Sequence, residues 1–224
     1  MRQLIQQALT LSIFLSLVAC AAIDRGPGQN PTPPGGYIGL EPGSLHAVDA
    51  CRQRLAEHKS ASVAELDSSA ISVLSWNIKK GELSEWMGDL HKLASNKQLI
   101  LLQEAASSMH LSRVLTETRF RSFAPGYVTA RDITGVVTFS QIEPLARCRL
   151  LVMEPWLGTP KATNITQYAL SNTDKTLLVA NIHAVNFSFG LKHFRAQLEA
   201  IVEVLAAHEG PIIFSGDFNT WRRG

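Results

Sequence analysis

An excess of charge of one sign is missing: 21 Lys and Arg face 19 Asp and Glu, a formal net charge of +2 across 224 residues. Overall charge therefore singles out no polyanionic partner. Charged residues make up 18% and hydrophobic residues 46%, which excludes an acidic or low-complexity disordered chain and fits a globular one. Cysteine is scarce. Cys20, Cys51 and Cys148 are too few and too scattered for a zinc cluster or a disulfide-dense scaffold. Long apolar runs are absent too, apart from residues 8–19, where only Thr10, Ser12 and Ser16 interrupt. As a helix that run spans about 18 Å, well short of the ~30 Å hydrocarbon core of a bilayer. It reads as a secretion signal and not as a membrane span. No internal repeat is visible, and the length suits one domain with a tail.

The end of the apolar run, Leu17-Val18-Ala19-Cys20, resembles the lipobox of bacterial lipoproteins. That resemblance implies a signal peptide over 1–20 and lipidation of Cys20. It further implies a chain anchored in the bacterial cell envelope. Ala21, in place of Asp, points to the outer membrane and a periplasmic orientation. Residues 21–45 are rich in Pro and Gly, which deny them a helix or a central strand and suit a flexible tether. Lipidation would leave Cys51 and Cys148. Outside the cytoplasm two such thiols tend to pair, and two separate buried thiols remain the other reading.

The remaining domain, 46–224, alternates helix and strand signals, so its class is α/β. A short helix is expected within 46–66, with Ala47, Cys51 and Leu55 on one face. The body that carries chemistry starts near residue 70. Strands are expected at 71–76, 99–102, 135–139, 176–182 and 211–215. Helices are expected at 82–95, 107–118 and 191–208. In the first, Trp86, Leu90 and Leu93 form an apolar stripe, and in the last Phe194, Leu198, Ile201 and Leu205 do.

Several of these strands finish in residues suited to metal or phosphate work: Asn77, Glu104, the Asn181/His183 pair and the Asp217/Asn219 pair. Sites in α/β folds gather where strands end. Positions i and i+2 of a strand share a face, which puts Asn181 with His183, and Asp217 with Asn219 if the strand continues. Singly, each has an ordinary structural explanation as a turn former or a hydrogen-bonded core residue. Together they supply hard oxygen ligands and an imidazole, the equipment of magnesium-assisted phosphoryl hydrolysis.

Four strings, SWN at 75–77, QE at 103–104, NIHAVNF at 181–187 and SGDFNTW at 215–221, resemble the endonuclease/exonuclease/phosphatase superfamily over about 70–224. EPWLGTPKAT at 154–163 and HAVNFSFG at 183–190 point to a bacterial lipoprotein branch of it. The resemblance implies a DNase I-like four-layered sandwich, two stacked and mainly antiparallel sheets flanked by helices. It implies Mg2+, with Mn2+ as a substitute, held by Glu104 with Asn77 beside it. His183 is then expected to donate to a phosphate oxygen, Asp217 to orient the base or the attacking water, and Asn219, with Asn181, to bind substrate. Tyr127 and Arg131 are weaker phosphate-facing candidates.

The implied activity is hydrolysis of a phosphodiester or phosphomonoester by a monomer. The substrate is left open among nucleic acid, nucleotide and phospholipid headgroup. Arg119, Arg121, Arg131, Arg147, Arg149, Lys192, Arg195, Arg222 and Arg223 could line a nucleic-acid groove, whereas Trp156, Phe187 and Phe189 could touch lipid. Relatives of this kind continue past GDFN to an Asp-His motif. The chain, ending at Gly224, is therefore expected to be incomplete at its C-terminus and impaired in activity. A non-catalytic envelope binding protein on the same scaffold is the rival reading.

Overall fold

The computed structural model describes residues 45–57, 64–115, 117–118, 120–128, 132–155, 157–186 and 190–220. The signal peptide, Cys20 and the tether lie outside the described residues, as do Arg119, Arg131, Trp156, Phe187, Phe189, Arg222 and Arg223. Among the described residues no helix is long and apolar enough to cross a membrane.

The chain forms α1 (Leu45–Ala56), β1 (Val73–Asn77), α2 (Trp86–Ala94), β2 (Leu99–Ala106), α3 (Leu111–Val114), β3 (Phe120–Val128) and β4 (Ile133–Ser140). It continues with β5 (Ala146–Met153), β6 (Pro160–Ala169), β7 (Thr176–His183), α4 (Lys192–Leu205) and β8 (Ile212–Asp217). Two four-stranded sheets result, ordered β1-β2-β4-β3 and β5-β6-β7-β8. Each is antiparallel except at one pair: β1 with β2, and β7 with β8. A parallel pair cannot be joined by a tight hairpin. Helices α2 and α4 are the crossovers.

Period-two burial separates the layers. On β2, Ile100 and Leu102 face α2 and α3, whereas Leu99 and Leu101 face the other sheet. On β7, Leu178, Ala180 and Ile182 face α1 and α4, whereas Leu177 and Val179 point inward. The architecture is the expected DNase I-like four-layered sandwich, helices outside and two sheets inside. Cys51 of α1 and Cys148 of β5 are disulfide-bonded, with Cα atoms 5.4 Å apart, so of the two readings the paired one holds.

Several elements differ from expectation. The helix expected over 107–118 is a single turn, Leu111–Val114. Residues 120–128, 146–153 and 160–169 are strands outside the expected set, although Ala146-Arg147-Cys148-Arg149-Leu150 does alternate and is buried in that rhythm. β3 contains Pro125 and Gly126, and β6 begins at Pro160 and buries polar Thr163, Asn164, Thr166 and Gln167. Tertiary burial overrides both the breakers and the polar residues. Leu93 is exposed, and Ala94 takes its place in the α2 stripe. The strand at 99 also runs on to Ala106, so Gln103 and Glu104 lie within it.

Candidate active site

The two parallel pairs carry their C-terminal ends to one end of the sandwich, with β1 packed against β8 and β2 against β7. In register, His183 is the direct neighbour of Asp217, and Asn77 that of Gln103. Glu104 arrives by a different device. The β2–β4 register slips between Leu102 and Ala105, and Glu104 adopts φ +54°. Strict alternation would turn Glu104 outward with Ile100 and Leu102. Instead Ala105 joins that outer cluster, and the bulge re-aims Glu104 to the inner side. At Gly216, φ is +144°, and a Cβ there would fall 2.0 Å from the Ile182 carbonyl oxygen. Only glycine lets β8 approach β7 closely enough to set Asp217 beside His183.

Ligand atoms of Glu104, His183 and Asp217 lie within 4.8 Å of one another. His183 Nε2 is 3.7 Å from Glu104 Oε1 and 3.9 Å from Asp217 Oδ2. Burial, and secondly Lys161, push the His183 imidazole down to about 4, against the pull of Glu104, Asp217 and Glu154. It is neutral near pH 7 and can act as a ligand. Between the carboxylates lies Asn77 Nδ2, donating to Glu104 Oε1 at 3.1 Å and to Asp217 Oδ2 at 2.8 Å. The donor set fits a hard divalent cation: two carboxylates and an imidazole converge, with one neutral amide to relieve their repulsion.

Two expected residues are placed otherwise than their assigned roles suggest. Asn77 turns Nδ2, and not its oxygen, to the two carboxylates, and its Oδ1 accepts from the Lys79 backbone N–H at 2.9 Å. Asn181 stands away from the cleft lining. It is fully buried, accepts from Gln103 Nε2 at 2.7 Å, and donates to the Val137 carbonyl at 3.0 Å. It shares the inward face with His183, as the period predicts, but lies deeper, between the sheets. Asn219 sits at φ +52°, its backbone N–H donating to Asp217 Oδ1 at 3.0 Å and its Nδ2 to the Ala184 carbonyl at 2.8 Å.

A cleft of about 440 Å3 opens over the cluster, lined by Glu104, His183 and Asn219 on one side and by Lys161, Glu154 and Tyr127 among others. Lys161 and Glu154 escaped sequence reasoning. A lysine at a strand start reads as surface, although both stand in the EPWLGTPKAT string already singled out. Lys161 Nζ lies 3.4 Å from His183 Nε2 and 3.9 Å from Glu154 Oε2.

The chain is 38% identical over 169 residues to a UPF0294 protein of Vibrio campbellii, covering 75% of this chain and 59% of that protein. It is 34% identical over 198 residues to a UPF0294 protein of Klebsiella pneumoniae, covering 88% of this chain and 69% of that protein. The chain belongs to the UPF0294 family. It spans less than two thirds of the length of the Vibrio campbellii relative. No protein-family model matches it. Among solved structures, this UPF0294 chain resembles an endonuclease/exonuclease/phosphatase family protein from Leptotrichia buccalis. The TM-score is 0.54 at 13% identity, over 67% of this chain and 69% of that one, a likeness of fold.

Proposed function

We propose that the UPF0294 chain carries the metal-binding half of a phosphoric ester hydrolase site. The observation that carries this reading is the convergence of Glu104, His183 and Asp217, two of which, Glu104 and His183, line an open cleft. When bound, Mg2+ or Mn2+ would draw charge from the phosphoryl oxygens and favour attack by water. Glu104, His183 and Asp217 would hold the ion. Asn77 keeps the two carboxylates at ligand spacing. Asn219 fixes Asp217 through its backbone N–H, and its left-handed backbone turns the chain at the cleft edge. The substrate class is a phosphodiester or phosphomonoester.

Mn2+ titration by calorimetry is the direct test. Glu104→Gln and Asp217→Asn are each expected to weaken Mn2+ at least about tenfold, the loss of one charged ligand. Hydrolysis of bis(p-nitrophenyl) phosphate, plasmid DNA, RNA and sphingomyelin should cease in EDTA. Turnover unchanged in EDTA, or Mn2+ binding unchanged in both variants, refutes the proposal.

The same proposal places the protein in the bacterial envelope through a lipid on Cys20. Support comes from the lipobox-like residues 17–20 and from the Cys51–Cys148 disulfide, a bond that persists in oxidising compartments. Cells fed an alkyne-tagged fatty acid should label the wild type and not Cys20→Ser. Equal labelling of both would remove the anchor.

A further inference from the structure

We infer that Lys161 is the anchor for a phosphoryl oxygen in the cleft, beside His183, and that Glu154 is its positioning residue. This rests on the phosphoric ester reading above. Glu154 is an unusual group to find at a cleft wall: its side chain is wholly buried. Its Oε1 accepts from the Asn186 backbone N–H at 2.9 Å and its Oε2 from Thr159 Oγ1 at 2.8 Å. A buried carboxylate needs a counter-charge as well as hydrogen bonds. Lys161 supplies it, yet at 3.9 Å the contact is an ion pair and not a hydrogen bond.

An ammonium has three N–H donors and no acceptor. The hydrogen-bond contact in which Lys161 Nζ takes part is the 3.4 Å approach to His183 Nε2, where the imidazole must be the acceptor. Donor capacity therefore remains at Nζ, and Lys161 lines the cleft beside Glu104, His183 and Asn219. Its side chain is only 16% exposed, so little water screens its charge. A phosphoryl group seated against the carboxylate cluster would meet Lys161 within the same cleft. In this arrangement the phosphate-donor role expected of His183 passes to Lys161, because Nε2 carries no proton to donate: its lone pair meets Lys161 here and would turn to the ion when one is bound.

Inorganic phosphate is the probe, titrated into the whole chain with and without saturating Mn2+ and followed by 31P NMR. Lys161→Met is expected to weaken phosphate about tenfold or more, as for loss of a charge-assisted hydrogen bond, without weakening Mn2+. Lys161→Arg, which keeps the charge, should stay near wild type. Glu154→Gln should weaken phosphate by an intermediate factor, again without weakening Mn2+. Lys161→Met alone takes a counter-charge from a buried carboxylate. Should it fail to fold, the double variant Glu154→Gln/Lys161→Met removes both charges and must show the same loss. Phosphate affinity unchanged in the folded variants, with Mn2+ still bound through Glu104, overturns the anchor and leaves the proposed function standing. A wild type that binds neither Mn2+ nor phosphate overturns both.

Discussion

Replacing Asn181 by leucine removes an amide that ties one sheet to the other. Asn181 accepts from Gln103 Nε2 at 2.7 Å and donates to the carbonyls of Val137 at 3.0 Å and Leu102 at 3.4 Å, with no exposed surface. A neutral hydrogen bond contributes about 1 kcal/mol net, and a buried polar group left without its partner costs about 1–3 kcal/mol. Gln103 keeps the Leu101 carbonyl at 3.2 Å, so only part of its amide is stranded. The expected cost of Asn181→Leu is then about 2–4 kcal/mol. Urea unfolding measures it as a lower midpoint at unchanged slope. Gln103→Met/Asn181→Leu removes both partners with groups of similar shape, so the double variant should recover about 1–2 kcal/mol relative to the sum of the singles. Mn2+ and phosphate affinity of the folded protein should not move. A cost below about 0.5 kcal/mol, the range of ordinary surface substitutions, together with collapsed phosphate binding, would refute the structural role and restore the substrate role that the resemblance implies.

Two further outcomes follow from the fold. Cys51 and Cys148 close a loop with a sequence separation of 97, for which chain entropy assigns about 4–5 kcal/mol of stabilisation. Cys51→Ser/Cys148→Ser should lower the unfolding temperature by about as much as reductant lowers the wild type's. A transition insensitive to reductant would contradict the bond. Asp132 accepts from the Ser107 and Ser108 hydroxyls and from the Ser108 and Ile133 backbone N–H groups. The Ser107 and Ser108 hydroxyls hold its carboxyl down to about 2. A depressed acid contributes stability above its unfolded value of 3.8 and loses it as pH falls toward 2. Discounted for its exposure, the contribution is about 1 kcal/mol. Asp132→Asn should therefore be less stable than wild type at pH 7 and equal to it near pH 2 by the same urea assay.

The residues themselves determined the class of fold and the chemistry of the site. The continuous apolar runs at 99–102 and 177–180 survive into the structure because both faces of those strands are buried, and the stripe on 191–208 survives because that one face packs on the sheet. The carboxylates of Glu104 and Asp217 and the imidazole of His183 were visible as types suited to a metal. Of the three strands outside the expected set, β5 was legible in its Ala-Arg-Cys-Arg-Leu alternation, and β3 and β6 were not. β3 and β6 carry proline, and β6 turns polar residues inward, where Asn164 bonds Ser122 and Thr138 across the sheets. Only the tertiary structure divided the polar residues by task. It sent Asn181 inward to Gln103, turned Asn77 Nδ2 to the two carboxylates, and used a bulge with a left-handed residue to bring Glu104 round. It also set Lys161 and Glu154 beside His183. These are distances between groups far apart along the chain, fixed by sheet register and stacking, and local periodicity carries no information about them.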